Sequence, residues 1–109
     1  MPDVGMKGNR RAITWSPEAE QDLFDIWQHI AEDGSRSSAD NILCDIDAAC
    51  VALAAWPDLG SSRDHVREGL RARRSDRYVI FYRVEEIRIA IVRVLHERRD
   101  LDTIFSEAE

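Results

Sequence analysis

The chain has 109 residues, 44% hydrophobic and 33% charged, enough for one cored domain and too apolar for a disordered segment. Its longest apolar runs are interrupted by arginine and fall far short of the roughly 20 residues of a membrane-spanning helix, so no membrane role is expected. A net charge of −6 argues against a protein whose whole surface attracts a polyanion.

The opening MPDVGMKGNRRA has none of the apolar character of a signal peptide. Residues 1–11 read as a flexible leader, 12–105 as a single domain and 106–109 as a tail. AITW is a short strand candidate. Ser16-Pro17 then starts a helix, because serine caps free N–H groups and proline suits the first helical position. Ala19, Leu23, Ile26, Trp27 and Ile30 recur at helical spacing, and Gly34 is placed to end the helix in a left-handed conformation. A second helix starts among Ser35, Ser37 and Ser38, carries the stripe Ala39, Ile42, Ile46, Ala49, Cys50 and Leu53, and closes at Trp56-Pro57. The short link between them makes an antiparallel hairpin. Trp15, Trp27 and Trp56 are expected in the core.

A polar loop over residues 58–69 leads to three strands, over residues 70–75, 78–84 and 87–96, joined by tight links that make them antiparallel neighbours. The order β-α-α-β-β-β gives an α+β fold, a helical hairpin packed on one face of a small antiparallel sheet. Residues 98–105 form a short helix or an arm. Cys44 and Cys50, six residues apart on one helix, point about 240° apart and cannot pair. No Cys/His cluster at metal-ligand spacing is present, so neither metal nor cofactor is expected, and reduced cysteines suit the cytoplasm.

Charge is unevenly placed. Residues 17–58 hold ten acids against Arg36 alone, whereas residues 61–83 hold seven arginines against Asp64, Glu68 and Asp76. Alternation along the strands assigns Ile80, Tyr82, Ile89, Ile91 and Leu95 to the core. The uncovered face would carry Arg71, Arg73, Arg83 and His96 around a floor of Phe81, Val92 and Val94. Arg93 falls on the core side, a misfit that snorkelling at an edge or a wrong parity beyond Ile91 would resolve.

The segments SPEAEQDLFDIWQHIAED, ALAAWPDLG, REGLR, RYVIFYRV, IRIAIVRVLH and RRDL occur in that order and resemble the RelE/ParE superfamily of type II toxin–antitoxin toxins. The resemblance spans residues 13–101 and implies a helical hairpin on a small antiparallel sheet. It also implies a cognate antitoxin that wraps the toxin, partly disordered when free. An apolar, arginine-rich face suits such a partner, since carboxylates pair bidentately with guanidinium groups. On this reading Arg71, Arg73, Arg74, Arg83, Phe81, His96, Arg98 and Arg99 bind antitoxin or target.

RelE-like members cleave messenger RNA, often on the ribosome, and ParE-like members inhibit DNA gyrase. RYVIFYRV and RVLHERRDL look more ParE-like. In a nuclease, Arg71 and Arg83 would hold phosphate and His96 would move the proton. RelE-like nucleases use lysines on the first hairpin strand and a tyrosine near the C-terminus. Here that strand has only arginines, and no tyrosine follows His96. The expectation is therefore a non-enzymatic ParE-like toxin. An endoribonuclease or a non-toxic member that only binds its antitoxin are the alternatives.

Overall fold

The structure is a computed structural model and describes residues 11–99. The expected tail, most of the leader and the arm beyond Arg99 lie outside the described residues. Strand β1 (Ala12–Trp15) is followed by helices α1 (Pro17–Asp33) and α2 (Arg36–Ala55) and a single 3₁₀ turn at Pro57–Leu59. Strands β2 (Ser61–Ser62), β3 (Arg71–Ser75), β4 (Tyr78–Val84) and β5 (Arg88–His96) complete one sheet of order β1-β5-β4-β3-β2. The hairpin-on-sheet architecture is the expected one. The sheet is mixed, because β1 crosses beneath the helices to pair in parallel with β5, Ile13 opposite Ile89. The two-residue strand β2 was hidden in the expected loop: SS carries no period to read.

Local chemistry sets the helix boundaries. The Ser16 side chain accepts from the Ala19 N–H at 2.9 Å, and Ser35 accepts from Ser38 at 3.0 Å, so each helix has its serine N-cap. Gly34 departs from the expectation. Its φ is −133°, not left-handed, and its N–H still donates to Ile30. Trp56 sits at φ −134°, ψ 77°, outside the helical region that Pro57 disfavours for its neighbour.

Ala19, Ile26, Ile46, Cys50 and Leu53 from the helices close over Tyr78, Ile80, Tyr82, Ile89, Ile91 and Val94. Leu95 was expected there and is not. Between Phe81 and Tyr82 the register of β4 on β5 slips, Phe81 facing Arg93 and Tyr82 facing Ile91, so one extra residue of β5 is accommodated. Beyond this bulge the alternation inverts. Val94 and His96 turn to the helix side, while Leu95 joins Leu70, Ala72 and Phe81 in a second core on the opposite face.

Arg93 is resolved by the same bulge. It lies at the flank of β5 past the end of β1, where its Nε and Nη2 donate to Asp22 of α1 at 2.8 and 2.9 Å. The Asp22 hydrogen bond and charge, acting against burial, push the already high pKa of this guanidinium higher still.

A buried tyrosine fixes the connector between the helices and the sheet. The Tyr82 hydroxyl donates to the Pro57 carbonyl at 2.6 Å and accepts from the Gly60 N–H at 3.0 Å. A side chain at position 60 would bring its Cβ within 2.4 Å of that hydroxyl and 2.7 Å of the Ala72 carbonyl oxygen, so close approach requires glycine here.

Candidate interaction surface

The arginines do not form one platform. Arg71 pairs across the ladder with Tyr82 and Arg73 with Ile80, which places both on the helix side of the sheet. Arg74, opposite Val79, and Arg83, two residues beyond Phe81, lie on the other side. The expected grouping of Arg71, Arg73 and Arg83 on one face is therefore corrected. The cause is the parity of β3: the closing pair of the two-residue hairpin, Ser75 with Tyr78, fixes odd residues of β3 beside even residues of β4.

The expected open floor is also corrected. Phe81 and Leu70 are 0% exposed. Val66, from the loop between β2 and β3, packs on their cluster together with Val79 and Val92. That loop is fastened at two points. Arg83 Nη2 donates to the Glu68 carbonyl at 3.0 Å, and the Asp64 carboxylate accepts from the Gly69 N–H at 2.8 Å. Gly69 has φ +80°, a conformation that favours glycine. The Gly69 N–H, with help from Ser62, holds the Asp64 carboxyl below its usual range. What remains partly open on this face is a strip of Val79, Ala90 and Val92 with exposed Arg74, Arg83 and Arg88 around it.

His96 belongs to a different place. Paired with Tyr78, it meets that ring edge-on at a centroid distance of 5.4 Å. Its Nδ1 accepts the Arg98 N–H at 3.1 Å, which leaves the proton of the neutral ring on Nε2. It borders a cavity of about 390 Å³ between α1 and the ends of β4 and β5, with Asp25, His29 and Arg99 also on its wall. Arg98 and Arg99 are exposed and follow His96 on this side. His96 therefore shares no face with Arg83.

At the outer side of β3, guanidinium groups meet backbone oxygens. Arg71 Nη2 donates to the Gly60 carbonyl at 2.6 Å and Arg73 Nη1 to the Leu59 carbonyl at 3.2 Å. The nearest carboxylate to Arg71, Asp58, is 3.9 Å away and almost wholly exposed. The Arg71 Nε is buried and has no hydrogen-bond partner. Arg74 forms an ion pair with Glu97. In the same connector Leu59 is 41% exposed, and Trp56, at the end of α2, is 69% exposed.

Trp56 contradicts the expectation of a core residue, whereas Trp15 packs on the core and Trp27 donates from Nε1 to Asp40 at 2.8 Å across the hairpin. The signal for Trp56 was present in the sequence: a residue before proline leaves the helix and with it the helix's apolar stripe. Among the described residues no His, Cys, Asp and Glu group could hold a metal ion, and no helix is long and apolar enough to cross a membrane. Both cysteines are free, Cys44 exposed and Cys50 buried.

Residues 13–101 match the family of ParE toxins of the type II toxin–antitoxin system parDE. Toxin ParE1 of Mycobacterium tuberculosis is 35% identical over 88 residues, covering 80% of this chain and 90% of that protein. Toxin ParE1 of Caulobacter vibrioides is 33% identical over 82 residues, covering 75% and 84%. Among solved structures, the chromosomal ParDE toxin–antitoxin system of P. aeruginosa matches with a TM-score of 0.70 at 21% identity, covering 81% of this chain and 97% of that one. The M. tuberculosis toxin–antitoxin complex RelBE2 matches with a TM-score of 0.56 at 22% identity, covering 80% and 98%. These two likenesses establish the fold.

Proposed function

The chain belongs to the ParE toxin family of type II toxin–antitoxin systems, and from that premise we propose that it is a non-enzymatic cytoplasmic toxin that arrests growth by acting on DNA gyrase. A cognate antitoxin, partly disordered when free, neutralises it. The observation that supports gyrase over RNA is the separation of His96 from Arg83. A nuclease must bring proton transfer and phosphate binding to one point. Here His96 is on the helix side against Tyr78, and Arg83 is on the opposite face over Glu68.

Purified chain is expected to block gyrase supercoiling while leaving messenger RNA intact in a translation extract. Degradation of the RNA, abolished by His96→Ala or Arg83→Ala, would replace this reading with an endoribonuclease. Absence of growth arrest on expression without antitoxin would leave a protein that only binds its partner.

The strip of Val79, Ala90 and Val92 with Arg74 and Arg83 suits an antitoxin bringing aliphatic residues and carboxylates. Arg83→Glu is expected to weaken the complex by ~2–5 kcal/mol, the range for charge pairs desolvated at an interface. Calorimetric titration measures it, and unchanged affinity removes Arg83 from the contact.

A further inference from the structure

We propose that the cavity between α1 and the ends of β4 and β5 is a binding site for a small aromatic anion, a flat ring with an N–H group at one end and a carboxylate or phosphate at the other. None of the strip of Val79, Ala90 and Val92 lines this cavity, and the inference is independent of the target on which the toxin acts.

The size and floor of the cavity come first. Its volume of about 390 Å³ falls within the roughly 300–1,000 Å³ that small-molecule pockets occupy. Ile26, Val94 and the ring of Tyr78 line it, and all three belong to the buried core. The two walls are braced against each other. Asp22 of α1 accepts from two Arg93 nitrogens at 2.8 and 2.9 Å and from the Val94 N–H at 3.0 Å, so the spacing of helix and strand is set before any ligand arrives. A ring can fill such a pre-formed apolar floor at little ordering cost.

The polar groups divide between the walls. On the strand side, His96 is oriented twice, by its edge-on contact with Tyr78 and by the Arg98 N–H that its Nδ1 accepts at 3.1 Å. The remaining Nε2–H has no acceptor among the described residues. Arg99 follows, its N–H donating to the His96 carbonyl at 3.0 Å, and its exposed guanidinium has no carboxylate partner among the described residues. A neutral donor and a permanent cation at one end suit a carboxylate or phosphate. On the helix side, Asp22 is spent on Arg93, and Asp33 stands 3.4 Å from His29. Asp25 accepts from Gln21 through Oδ1 at 2.9 Å, which leaves Oδ2 for a ligand N–H. The two ends therefore read a ligand in one orientation, because Asp25 repels an anion placed the other way round.

Guanine nucleotides and indole acids share this chemistry, and the test separates them. The full chain is titrated with guanosine 5′-monophosphate and, separately, with indole-3-acetate, while its amide resonances are followed. At least one probe is expected to shift the Ile26, Val94 and His96 amides saturably, with half-saturation below ~1 mM. The probe that does so identifies the source. Arg99→Ala and Asp25→Ala, both at exposed positions outside the core, are each expected to weaken that binding at least fivefold. Saturation by neither probe overturns the inference. So does binding that either variant leaves unchanged, or a shift pattern that avoids the cavity. Equal binding of indole or inorganic phosphate, each lacking one half of the ligand, also overturns it.

Discussion

Two short outer strands stop midway along their neighbours, and the chain treats the two gaps differently. Where β1 ends beside β5, side chains take the place of a strand. Ser16 Oγ donates to the Val92 carbonyl at 2.7 Å, and Asp22 accepts from the Val94 N–H at 3.0 Å while holding Arg93. Where β2 ends beside β3, Arg71 and Arg73 of β3 instead hold the connector by its Gly60 and Leu59 carbonyls. Both gaps use arginine. At the first it is matched by a carboxylate; at the second it meets backbone oxygens, Arg71 half-buried and Arg73 exposed. A guanidinium group in a small sheet therefore has two physical roles, sealing a gap and fastening a connector, and its acceptor distinguishes them.

Breaking the sealed gap should cost most. Asp22→Ala strands a guanidinium that is 21% exposed and leaves the Val94 N–H without its acceptor. Loss of one partner of a buried pair is worth roughly 3–5 kcal/mol, and partial solvent access places this one near ~3 kcal/mol. Urea denaturation measures it, and a loss below ~1 kcal/mol would show that the gap is not sealed by this pair. At the other gap, Gly60→Ala forces a Cβ against the Tyr82 hydroxyl and the Ala72 carbonyl. Overpacking of this kind costs about 1–3 kcal/mol, and a melting temperature equal to wild type would show that the connector simply moves aside.

Much of this was legible in the chain. Serine caps, helical stripes, the tight hairpins and the absence of a disulfide follow from side-chain chemistry acting over a few residues. The bulge beyond Phe81 was not, because strand register depends on how two sequence-distant segments meet. It moved Leu95 and His96 to opposite faces from those expected. The face of Arg71 and Arg73 was missed for a related reason: alternation says which residues share a side, not which side meets the helices. Trp56 was misplaced by extending a helical stripe past the residue that proline removes from it.

Two gentler probes sharpen the contrast. Cys50 lies in the core beneath the helices, and burial, with the nearby Asp47 charge, pushes its thiol up from 9.0 to about 12. Below pH 9.0 both folded and unfolded chains keep the proton. Between there and about pH 12 the unfolded chain releases it first, so stability falls as pH rises through that window. A thiol reagent at neutral pH is expected to modify Cys44 promptly and Cys50 only on unfolding, and equal rates would contradict the sealed core.

The smallest effect belongs to Asp64 in the loop after β2. Its lowered carboxyl stabilises the loop above the ordinary aspartate range, and that contribution is lost as pH falls through the depressed value. The Gly69 amide resonance should titrate with this midpoint and stop doing so in Asp64→Asn. Persistence of the titration would assign it to another group.

The parallel pairing of β1 with β5 has a consequence for the order of events during synthesis. Ala12 finds its mate at Arg88, so the first strand made must wait for the last. At roughly 5–20 residues per second that delay is on the order of 4–15 s. Until then the apolar side of the hairpin has no completed floor beneath it, and the finished toxin arises in one late step rather than by gradual accretion on the ribosome.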